Sequence, residues 1–390
     1  MNNPGNNRRG FIKNAGTALG GITLFSGLPR FAHAGERLEA GKFLQWTAAP
    51  RLRFAVIGIN HGHIHSQIDL VQKGGGELVA FFAKEADLAD AFSKRYPGVK
   101  LARSQAEILE DKNIQLVVSA AIPNERAEIG IAAMQHDKHF LTDKPGITSL
   151  KQLASVRRVQ KATKKIFAVF FGRLESRNAF KAEELVRNGA IGKVIQTMSL
   201  APHRINAPTR PSWFFDTRNY GGIINDIGSH QFDEFLTYTG STTANIVAAQ
   251  TGNFNHPQYP AFEDFGDAMY NGNGGTGYLR VDWFTPDGLK SWGDTRITIL
   301  GTEGFIEIRK NIDIAGREGG DHIFLTDNKE TRYINCSSVT LPYATRFVDD
   351  ILNRTETFMR QEHCLLACEL ALKAQSQAKR IKSIGKMSLD

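Results

Sequence analysis

The sequence predicts an α/β protein with two domains, and three observations support this fold class. Between residues 53 and 171, short apolar strands alternate with helical segments, which is typical of a doubly wound parallel sheet. Between residues 245 and 309, strand segments follow one another without helices. That pattern indicates an open, mostly antiparallel sheet in a second α/β domain. The length of 390 residues suits two domains of ordinary size.

The composition is that of a globular protein, with 41% hydrophobic and 23% charged residues. No apolar run is suited to repeated membrane spanning, so we expect no integral membrane domain. The formal net charge is +8, but 44 basic and 40 acidic side chains remain once residues 1–34 are set aside. No basic stripe carries interleaved aromatic residues, so we expect no nucleic-acid partner. Cys336, Cys364 and Cys368 are expected to be buried thiols, because i, i+4 spacing disfavours a helical disulfide.

The first 34 residues resemble a twin-arginine export signal. Arg8 and Arg9 precede Phe11, a mildly apolar run covers residues 15–28, and Ala32-His33-Ala34 follows. A disordered basic N-terminus is the alternative. The signal predicts an exported, periplasmic protein that uses the twin-arginine export machinery.

A strand at residues 53–58 leads into a glycine turn, Gly58-Ile59-Asn60-His61-Gly62-His63-Ile64-His65, and a helical pattern follows. Strand, turn and helix open a nucleotide-binding βαβ unit, in which the turn amides and the helix N-terminus receive a pyrophosphate. The motif has Asn60 at the second glycine position and is one residue short, although asparagine tolerates left-handed backbone. We expect four residues of the turn to contact a dinucleotide: Gly58, Asn60, Gly62 and His63.

Two further features bear on what this turn binds. The second strand ends at Phe82, and Ala83 and Lys84 stand where an acidic residue often holds the adenosine ribose. A cation there tolerates a 2′-phosphate, so either NAD or NADP is expected, with NADP slightly favoured; a solvated lysine is the alternative. The histidines at positions 61, 63 and 65 raise the possibility of a metal, but their spacing is not a firm ligand set and we expect none.

The alternation continues through a helix that starts near Ile122-Pro123-Asn124 to a strand at residues 138–141. That strand ends in Thr142-Asp143-Lys144-Pro145, and the carboxyl ends of strands in an open α/β sheet face the ligand crevice. Because the residue before a proline is held extended, Lys144 can present its ammonium group to a substrate hydroxyl. An ordinary surface lysine is the alternative.

A second glycine turn, Gly221-Gly222, leads into a predicted helix. Asp226, His230 and Asp233 fall at i, i+4 and i+7 and so share one helix face. A histidine with a carboxylate one turn away can be set for proton transfer near neutral pH. The alternative is a solvated helix face with a satisfied histidine.

These motifs together resemble the glucose–fructose oxidoreductase / inositol dehydrogenase / rhizopine-catabolism (Gfo/Idh/MocA) family over about residues 50–385. The resemblance implies a Rossmann domain that binds NAD or NADP and an α/β domain that binds a sugar or cyclitol. It implies that Lys144 and His230 are the catalytic pair, with Asp226 as the accompanying carboxylate. It also places Ile122, Pro123, Asn124, Lys144 and Pro145 beside the cofactor. The chain departs from the family pattern at the altered glycine turn, the missing ribose acid and Ala127.

The resemblance implies an oxidoreductase that moves a hydride between a sugar carbon and a nicotinamide. Either Lys144 or His230 then carries the hydroxyl proton, and the sequence leaves that choice open. His203, Arg204 and Trp213, in the loop before the second glycine turn, either line the sugar pocket or pack that loop. A redox-neutral glycosidase or lyase on the same scaffold is one alternative function, and a non-catalytic sugar-binding protein is another.

The expected organisation follows from these assignments. Residues 1–34 are the signal, 35–50 a linker, 51–172 the Rossmann domain and 173–343 the substrate domain. Residues 344–390 are expected to form helices that pack back on the Rossmann domain. The open face of the second sheet is expected to form a homodimer or homotetramer.

Overall fold

A computed structural model describes residues 49–381. The signal and nearly all of the linker lie outside the described residues, so both stay predictions. The described chain forms two sheets, a six-stranded sheet followed by a nine-stranded one.

The first sheet is parallel throughout, in the strand order β3-β2-β1-β4-β5-β6. This is the order of a dinucleotide-binding doubly wound sheet. Its central strands are apolar and buried because helices cover both faces. The strands are β1 (Leu52–Ile57), β2 (Gly76–Phe82), β3 (Lys100–Leu101), β4 (Leu116–Ser119), β5 (His139–Asp143) and β6 (Phe167–Phe170). The helices are α1 (Ile64–Lys73), α2 (Ala86–Arg95), α3 (Gln105–Glu110), α4 (Pro123–Gln135) and α5 (Leu150–Thr163).

The second sheet is mostly antiparallel, in the order β14-β13-β12-β11-β7-β10-β9-β8-β15. Only the β7–β10 and β8–β15 pairs are parallel. The predicted fold class is therefore confirmed, although the sequence analysis missed the last three strands. The strands are β7 (Val194–Pro202), β8 (Ala244–Gly252), β9 (Phe265–Gly272), β10 (Gly275–Asp282), β11 (Arg296–Gly301), β12 (Gly304–Arg309), β13 (His322–Asp327), β14 (Thr331–Asn335) and β15 (Lys379–Ile381).

Four helices follow the first sheet in the sequence. Helix α6 (Arg177–Arg187) precedes β7, and α7 (Thr217–Tyr220), α8 (Ile223–Asp226) and α9 (Gly228–Thr239) lie between β7 and β8. The single helix expected after Gly222 is thus two helices with a break at Ile227. Helix α9 packs on the second sheet through Phe232 and Phe235, whose rings lie 4.7 and 4.8 Å from that of Tyr270. This burial leaves the opposite face of the sheet exposed.

Two C-terminal helices, α10 (Tyr343–Asn353) and α11 (Gln361–Gln377), return to the body of the molecule. Helix α10 packs on α1, whereas α11 contacts α5 of the first sheet and also α8, α9 and β8. The last helix therefore joins both halves rather than the Rossmann half alone. The three cysteines are free and buried, as predicted. Within residues 49–381 no helix has the length and apolarity needed to cross a membrane.

Helix α11 also completes the start of α8. Gln375 accepts hydrogen bonds from the amides of Ile224 (2.9 Å) and Asn225 (3.4 Å) and donates to Glu263 (3.1 and 3.0 Å). Glu263 accepts the amide of Ile223 at 2.9 Å. These bonds satisfy amides that a helix N-terminus leaves without intrahelical partners. Gly222 makes the approach possible, because any Cβ there would collide with the Gln375 carboxamide.

We expect Gly222→Ala to destabilise the protein. The residue has φ +88°, and a methyl group would also displace Gln375, so the free energy of unfolding should fall by about 1–3 kcal/mol. Urea unfolding measures the change. Gly288→Ala is the matched control, because a Cβ at Gly288 meets no atom within 4 Å. Equal stability of the two variants would contradict this account of the turn.

Candidate active site

The first glycine turn lies where β1 ends. Gly58 has φ +80°, and a Cβ there would collide with Ala121, so the close approach of this turn to the loop after β4 needs glycine. A Cβ at Gly62 would meet nothing within 4 Å, which leaves open space before the N-terminus of α1. A helix N-terminus without a side-chain cap, beside an open glycine turn, fits a dinucleotide pyrophosphate. The residues present therefore suit an NAD or NADP molecule.

An acidic residue shortly after β2 contacts this turn, and the sequence analysis missed it. Glu85 accepts a hydrogen bond from the side-chain amide of Asn60 at 2.8 Å, so the Glu85 carboxylate reaches back to the turn. The Lys84 ammonium instead binds Glu125 on α4, also at 2.8 Å. Lys84 therefore has a protein partner, Glu125. The Asn60 side chain contacts Glu85, which the sequence analysis did not predict.

Asp143, at the end of β5, is buried and surrounded by donors. His63 Nδ1 lies 3.0 Å from one carboxylate oxygen, and His61 Nδ1 and Arg126 Nη2 lie 3.1 and 3.3 Å from the other. The amide of Lys144 donates to Asp143 at 2.8 Å. Burial alone would raise the pKa of Asp143, but the neighbouring His63, Arg126 and His61 hold that pKa well below its usual range. Asp143 therefore remains a carboxylate.

The same three side chains, His61, His63 and Asp143, form a cluster whose nitrogen and oxygen atoms all lie within 4.8 Å of one another. Such a set has the chemistry of a transition-metal site. Their present separations, however, are those of hydrogen bonds between imidazole and carboxylate.

Lys144 contacts Asp226 in the structure, a pairing that the sequence analysis did not predict. Its Nζ lies 3.0 Å from Asp226 Oδ1, and both side chains are about nine-tenths buried. The backbone of Lys144 is fixed by Arg126, which donates to its carbonyl at 2.6 Å and to that of Pro145 at 3.2 Å. Three contacts thus fix the lysine, through its amide, its carbonyl and its ammonium group.

The Ile122-Pro123-Asn124 segment begins α4 beside this site. Pro123 is the first residue of the helix, as its fixed φ and missing N–H allow. Asn124 donates to Asn219 at 3.2 Å, and Gln152 donates to the Asn124 carbonyl at 2.9 Å. The segment therefore links the Rossmann half to α7.

His230 lies on α9 with one nitrogen already occupied. The amide of Gly172 donates to His230 Nδ1 at 2.8 Å, and the Gly172 carbonyl accepts from Lys310 Nζ at 3.0 Å. Burial and the nearby charges of Lys144 and Lys310 keep the pKa of His230 well below its usual value. The imidazole is therefore neutral with its proton on Nε2, because Nδ1 serves as an acceptor.

Asp226, His230 and Asp233 were expected to share one helix face, but in the structure the two carboxylates have partners on different sides. Asp226 binds Lys144, whereas Asp233 binds Arg173 at 2.9 and 3.1 Å and His363 at 2.8 Å on the side toward α11. The break at Ile227 changes the helical phase between Asp226 and the later residues. Spacing alone therefore did not identify the partner of either carboxylate.

The predicted sugar-contact residues have different surroundings. Burial and the charge of Lys144 lower the pKa of His203 to about 3, and its Nδ1 lies 3.0 Å from the Ala201 carbonyl. The neutral ring thus carries its proton on Nδ1 and leaves Nε2 as an acceptor. Arg204 instead holds a loop, donating to the carbonyls of Pro286 at 2.8 Å and Leu289 at 2.7 Å. Trp213 is partly buried beside Phe214.

Sequence analysis missed two cations near Asp226 and His230. The Arg210 guanidinium lies over the rings of Phe214 (4.5 Å) and Trp283 (5.4 Å), and Asp226 acts on its pKa in the direction opposite to burial. Lys310 reaches Gly172 from the end of β12. A basic residue in the proline-rich loop before Trp213 was a visible signal for Arg210. No local signal marked Lys310, which lies 138 residues from its partner.

Comparison with protein families matches both halves of this arrangement. Residues 52–171 match the oxidoreductase family with an NAD-binding Rossmann fold, and residues 180–307 match the GFO/IDH/MocA C-terminal domain. The chain belongs to the Gfo/Idh/MocA family. This confirms the family that the combined motifs indicated.

Several proteins resemble this Gfo/Idh/MocA chain. A crystal structure from Erwinia carotovora atroseptica, described as an oxidoreductase, is 44% identical over 85% of this chain and 99% of that one, with a TM-score of 0.83. Myo-inositol 2-dehydrogenase of Thermotoga maritima is 31% identical over 50% of this chain and 58% of its own length. A 3-ketoreductase of Actinomadura kijaniata, solved with NADP, shares the fold at 16% identity over 86% of this chain and 99% of that one, with a TM-score of 0.69. The chain spans about half the length of the curated relatives it matches.

We expect His230 to remain neutral with a protonated Nε2 from about pH 8 down to about pH 5, below the usual imidazole titration. The cause is its burial beside two lysines and the Gly172 N–H on Nδ1. Imidazole ¹⁵N chemical shifts of histidine-labelled protein measure this, with His230→Asn used to assign the signal. A signal that titrates near neutral pH, or one with a protonated Nδ1, would contradict the assignment.

Proposed function

We propose that this protein is an NAD(P)-dependent oxidoreductase that oxidises a secondary hydroxyl of a sugar or cyclitol, or reduces the matching ketone. The observation that carries the proposal is the convergence of the Lys144–Asp226 pair with His230 next to an open glycine turn. A nicotinamide site beside a proton-transfer pair supplies both halves of alcohol oxidation. The myo-inositol dehydrogenase relative supports the substrate class.

Lys144 is the proposed base. His230 has a proton on Nε2, and its Nδ1 is taken by the Gly172 amide, so the neutral ring offers no lone pair to a hydroxyl proton. It can instead donate a hydrogen bond to the substrate oxygen. Once Lys144 has given up a proton, its amine has a lone pair for the hydroxyl proton. Asp226, 3.0 Å away, stabilises the ammonium group once the proton has moved.

The reaction balances with these assignments. The substrate loses a hydride from carbon and a proton from oxygen, and a C=O bond forms. An oxidised nicotinamide, held by the glycine turn and the start of α1, would supply the hydride acceptor, and its positive charge would favour loss of a proton from a neighbouring ammonium group. Lys144 takes the proton, and His230 Nε2–H contacts the oxygen as it becomes a carbonyl. In the reverse direction, Lys144 serves as the acid and His230 as the hydrogen-bond donor.

Recognition of a polyol is assigned to three side chains around this pair. His203 contributes an acceptor at Nε2, Arg210 contributes fixed donors, and Trp213 contributes an aromatic face. A sugar hydroxyl both donates and accepts, so a site with one neutral acceptor and several donors suits it. Arg204 is assigned to loop support because loop carbonyls already bind its guanidinium group.

The cofactor choice is revised in favour of NAD. The Glu85 carboxylate, held against Asn60, is placed to accept a hydrogen bond from a ribose 2′-hydroxyl and to repel a 2′-phosphate. Lys84 would have to leave Glu125 before it met that phosphate. A relative solved with NADP shows that the fold also accepts the phosphorylated cofactor.

Two properties of the whole protein are proposed from the sequence. Residues 1–34 direct export to the periplasm by the twin-arginine route, which carries folded proteins. The open face of the second sheet forms the contact of a homodimer or homotetramer. This face exposes large apolar side chains that a monomer rarely gathers together: Met198, Met269, Leu300, Phe305 and Tyr333.

We expect Lys144→Ala to lower kcat by a factor of about 10²–10⁴, the usual contribution of an acid–base group. A small primary amine should restore part of the rate, because it replaces the missing lone pair. Turnover with an active polyol measures both effects, and exposed Lys151→Ala is the matched control. Near-wild-type turnover of Lys144→Ala, together with imidazole rescue of His230→Ala, would assign the base to His230 instead.

We expect Glu85→Gln to weaken NAD by about tenfold and NADP much less, since only the unphosphorylated ribose uses the carboxylate. Lys84→Ala should leave the ratio of the two affinities unchanged. Dissociation constants of both cofactors measure this, with exposed Asp90→Asn on α2 as the control. Selective loss of NADP affinity in Lys84→Ala would instead support the original expectation that Lys84 contacts the 2′-phosphate.

Export raises the question of cofactor supply, because free NAD(P) is expected in the cytoplasm. We expect protein from the exported fraction to keep about one NAD(P) per chain through dialysis and to turn over without added cofactor. Retention implies either a second substrate that returns the hydride or a redox-neutral glycosidase or lyase reaction. Release of aglycone from glycosides without net NADH formation would identify the redox-neutral reaction. Protein that is purified without cofactor and binds it only weakly would contradict cofactor recycling. An ordinary dehydrogenase or a sugar-binding protein would then remain.

A further inference from the structure

Lys310 is a cation of the candidate site to which the proposed mechanism gives no role. It lies directly after β12, and its ammonium group donates to the Gly172 carbonyl at 3.0 Å. A Cβ placed on Gly172 would lie 2.9 Å from Lys310 Nζ and 3.5 Å from His230 Nδ1, so the ammonium group is close to the His230 ring. An ammonium group has three N–H donors. Among the described residues only the Gly172 carbonyl accepts one of them, so two donors remain for a ligand.

Arg210 is a second cation with unused donors. Its Nε donates to the Ile205 carbonyl at 2.9 Å, and its guanidinium group lies over the rings of Phe214 and Trp283. In the described part of the chain, neither Arg210 nor Lys310 forms an ion pair with a carboxylate, and the terminal nitrogens of Arg210 bind no acceptor. Both cations are therefore held in place without being neutralised.

His203 shows that the two cations approach the same pocket. Burial is the largest cause of the low pKa of His203, which is about 3. The positive charges of Lys144, Lys310 and Arg210 act in the same direction, so all three lie near this ring. The ring of Trp283 also contacts both His203 and the Arg210 guanidinium group, at 5.4 Å in each case. Positive charge thus reaches one place from the end of β12 and from the loop after β7.

The nearby acidic groups do not balance this charge. Asp226 lies 3.0 Å from the Lys144 ammonium group, so that pair contributes no net charge. Glu234 on α9 is buried, and its Oε2 has no hydrogen-bond partner among the described residues. Burial raises the pKa of Glu234 to about 7, although the charge of Lys310 opposes that change. Glu234 is therefore only partly ionised at neutral pH, and Lys310 and Arg210 leave the site with excess positive charge.

The two cations also keep surface that a ligand can reach. Lys144 and Asp226 are buried, whereas His203, Arg210 and Lys310 are each partly exposed. A sugar hydroxyl both donates and accepts, so a neutral polyol does not use a surplus of cationic donors. An ionised oxygen only accepts, and it forms charge-assisted hydrogen bonds with such donors.

We propose that the substrate is an anionic sugar, and that Lys310 binds its carboxylate or phosphate group near the reacting hydroxyl. Arg210 adds a second positive charge to this subsite. The inference rests on the proposed function and narrows it, because a neutral polyol would leave both cations without a partner. Charge-assisted hydrogen bonds are about twice as strong as neutral ones, so the subsite favours an acidic sugar over its neutral parent.

Matched sugars that differ at a single carbon test this subsite. D-Glucose, D-glucuronate and D-glucose-6-phosphate form one series, the corresponding galacto compounds form another, and myo-inositol represents the neutral cyclitols. Dissociation constants are measured by calorimetry on protein loaded with NADH, at constant ionic strength because salt screens charge. The reduced nicotinamide is uncharged, so a preference for an anion reports on the protein and not on the nicotinamide ring.

We expect an acidic sugar to bind about tenfold or more tightly than its neutral parent, as a charged hydrogen bond provides. Preference for the uronate identifies a carboxylate, and preference for the hexose phosphate identifies a phosphate. Lys310→Gln should lose the preference, because the amide removes the charge and still has a donor for the Gly172 carbonyl. Lys310→Arg should keep it. Lys329→Gln is the matched control, since this lysine is exposed in the turn after β13.

Neutral sugars that bind as tightly as their acidic counterparts would overturn this inference and leave the proposed function intact. Equal weakening of neutral and acidic sugars in Lys310→Gln would do the same, because Lys310 would then only support Gly172 and His230. Lys310→Met provides the same comparison if the glutamine variant does not fold. Failure of the cofactor-loaded wild type to bind or oxidise any sugar or cyclitol of the panel would overturn the proposed function, and the inference with it.

Discussion

The buried carboxylate of Asp143 is the constraint on which the candidate site depends. An ionised carboxylate inside a protein needs several donors to offset its desolvation. Here those donors come from three separate parts of the Rossmann half: the glycine turn, helix α4 and the amide of the next residue, Lys144. Satisfying one charge therefore fixes the glycine turn and Lys144 relative to each other.

A second constraint acts from the other half of the molecule. The lysine reaches Asp226 on α8, and α8 is held at its start by Glu263 and Gln375. His230 is held by the backbone of Gly172, which lies just after β6. Each member of the site is therefore fixed by a residue distant in sequence. Such fixing keeps reactive groups in place without reorganisation during the reaction.

The sequence was most informative where the physics is local. Alternating apolar strands and helices placed the parallel sheet, and several predicted bounds lie within a residue or two of those observed. The residues that meet at the site were found because each follows a glycine turn or a strand end. The pairing within the site was less accessible. Asp226 was expected near His230 by helical spacing, but the break at Ile227 turns it toward Lys144.

Contacts over long sequence separations lay beyond sequence reasoning. Nothing in the local pattern shows that Lys310 supports the Gly172 carbonyl, or that Glu85 rather than Lys84 reaches the turn. The last three strands were missed although β13 is as long as β11 and β12; β14 is mostly exposed, and β15 has only three residues. Charge partners depend on where whole elements pack, which the periodicity of one element does not contain.

The position of Gln375 has a consequence for the order in which the site is made. Helix α8 and its glycine turn leave the ribosome about 150 residues before the side chain that completes their first amides. The strands and helices of the Rossmann half are nearly contiguous, but its core also contains side chains of α10, which is synthesised late. Helix α8 cannot finish its hydrogen bonding until α11 has been synthesised and has packed beside it. The candidate site is therefore assembled late, after both halves of the described chain have been made.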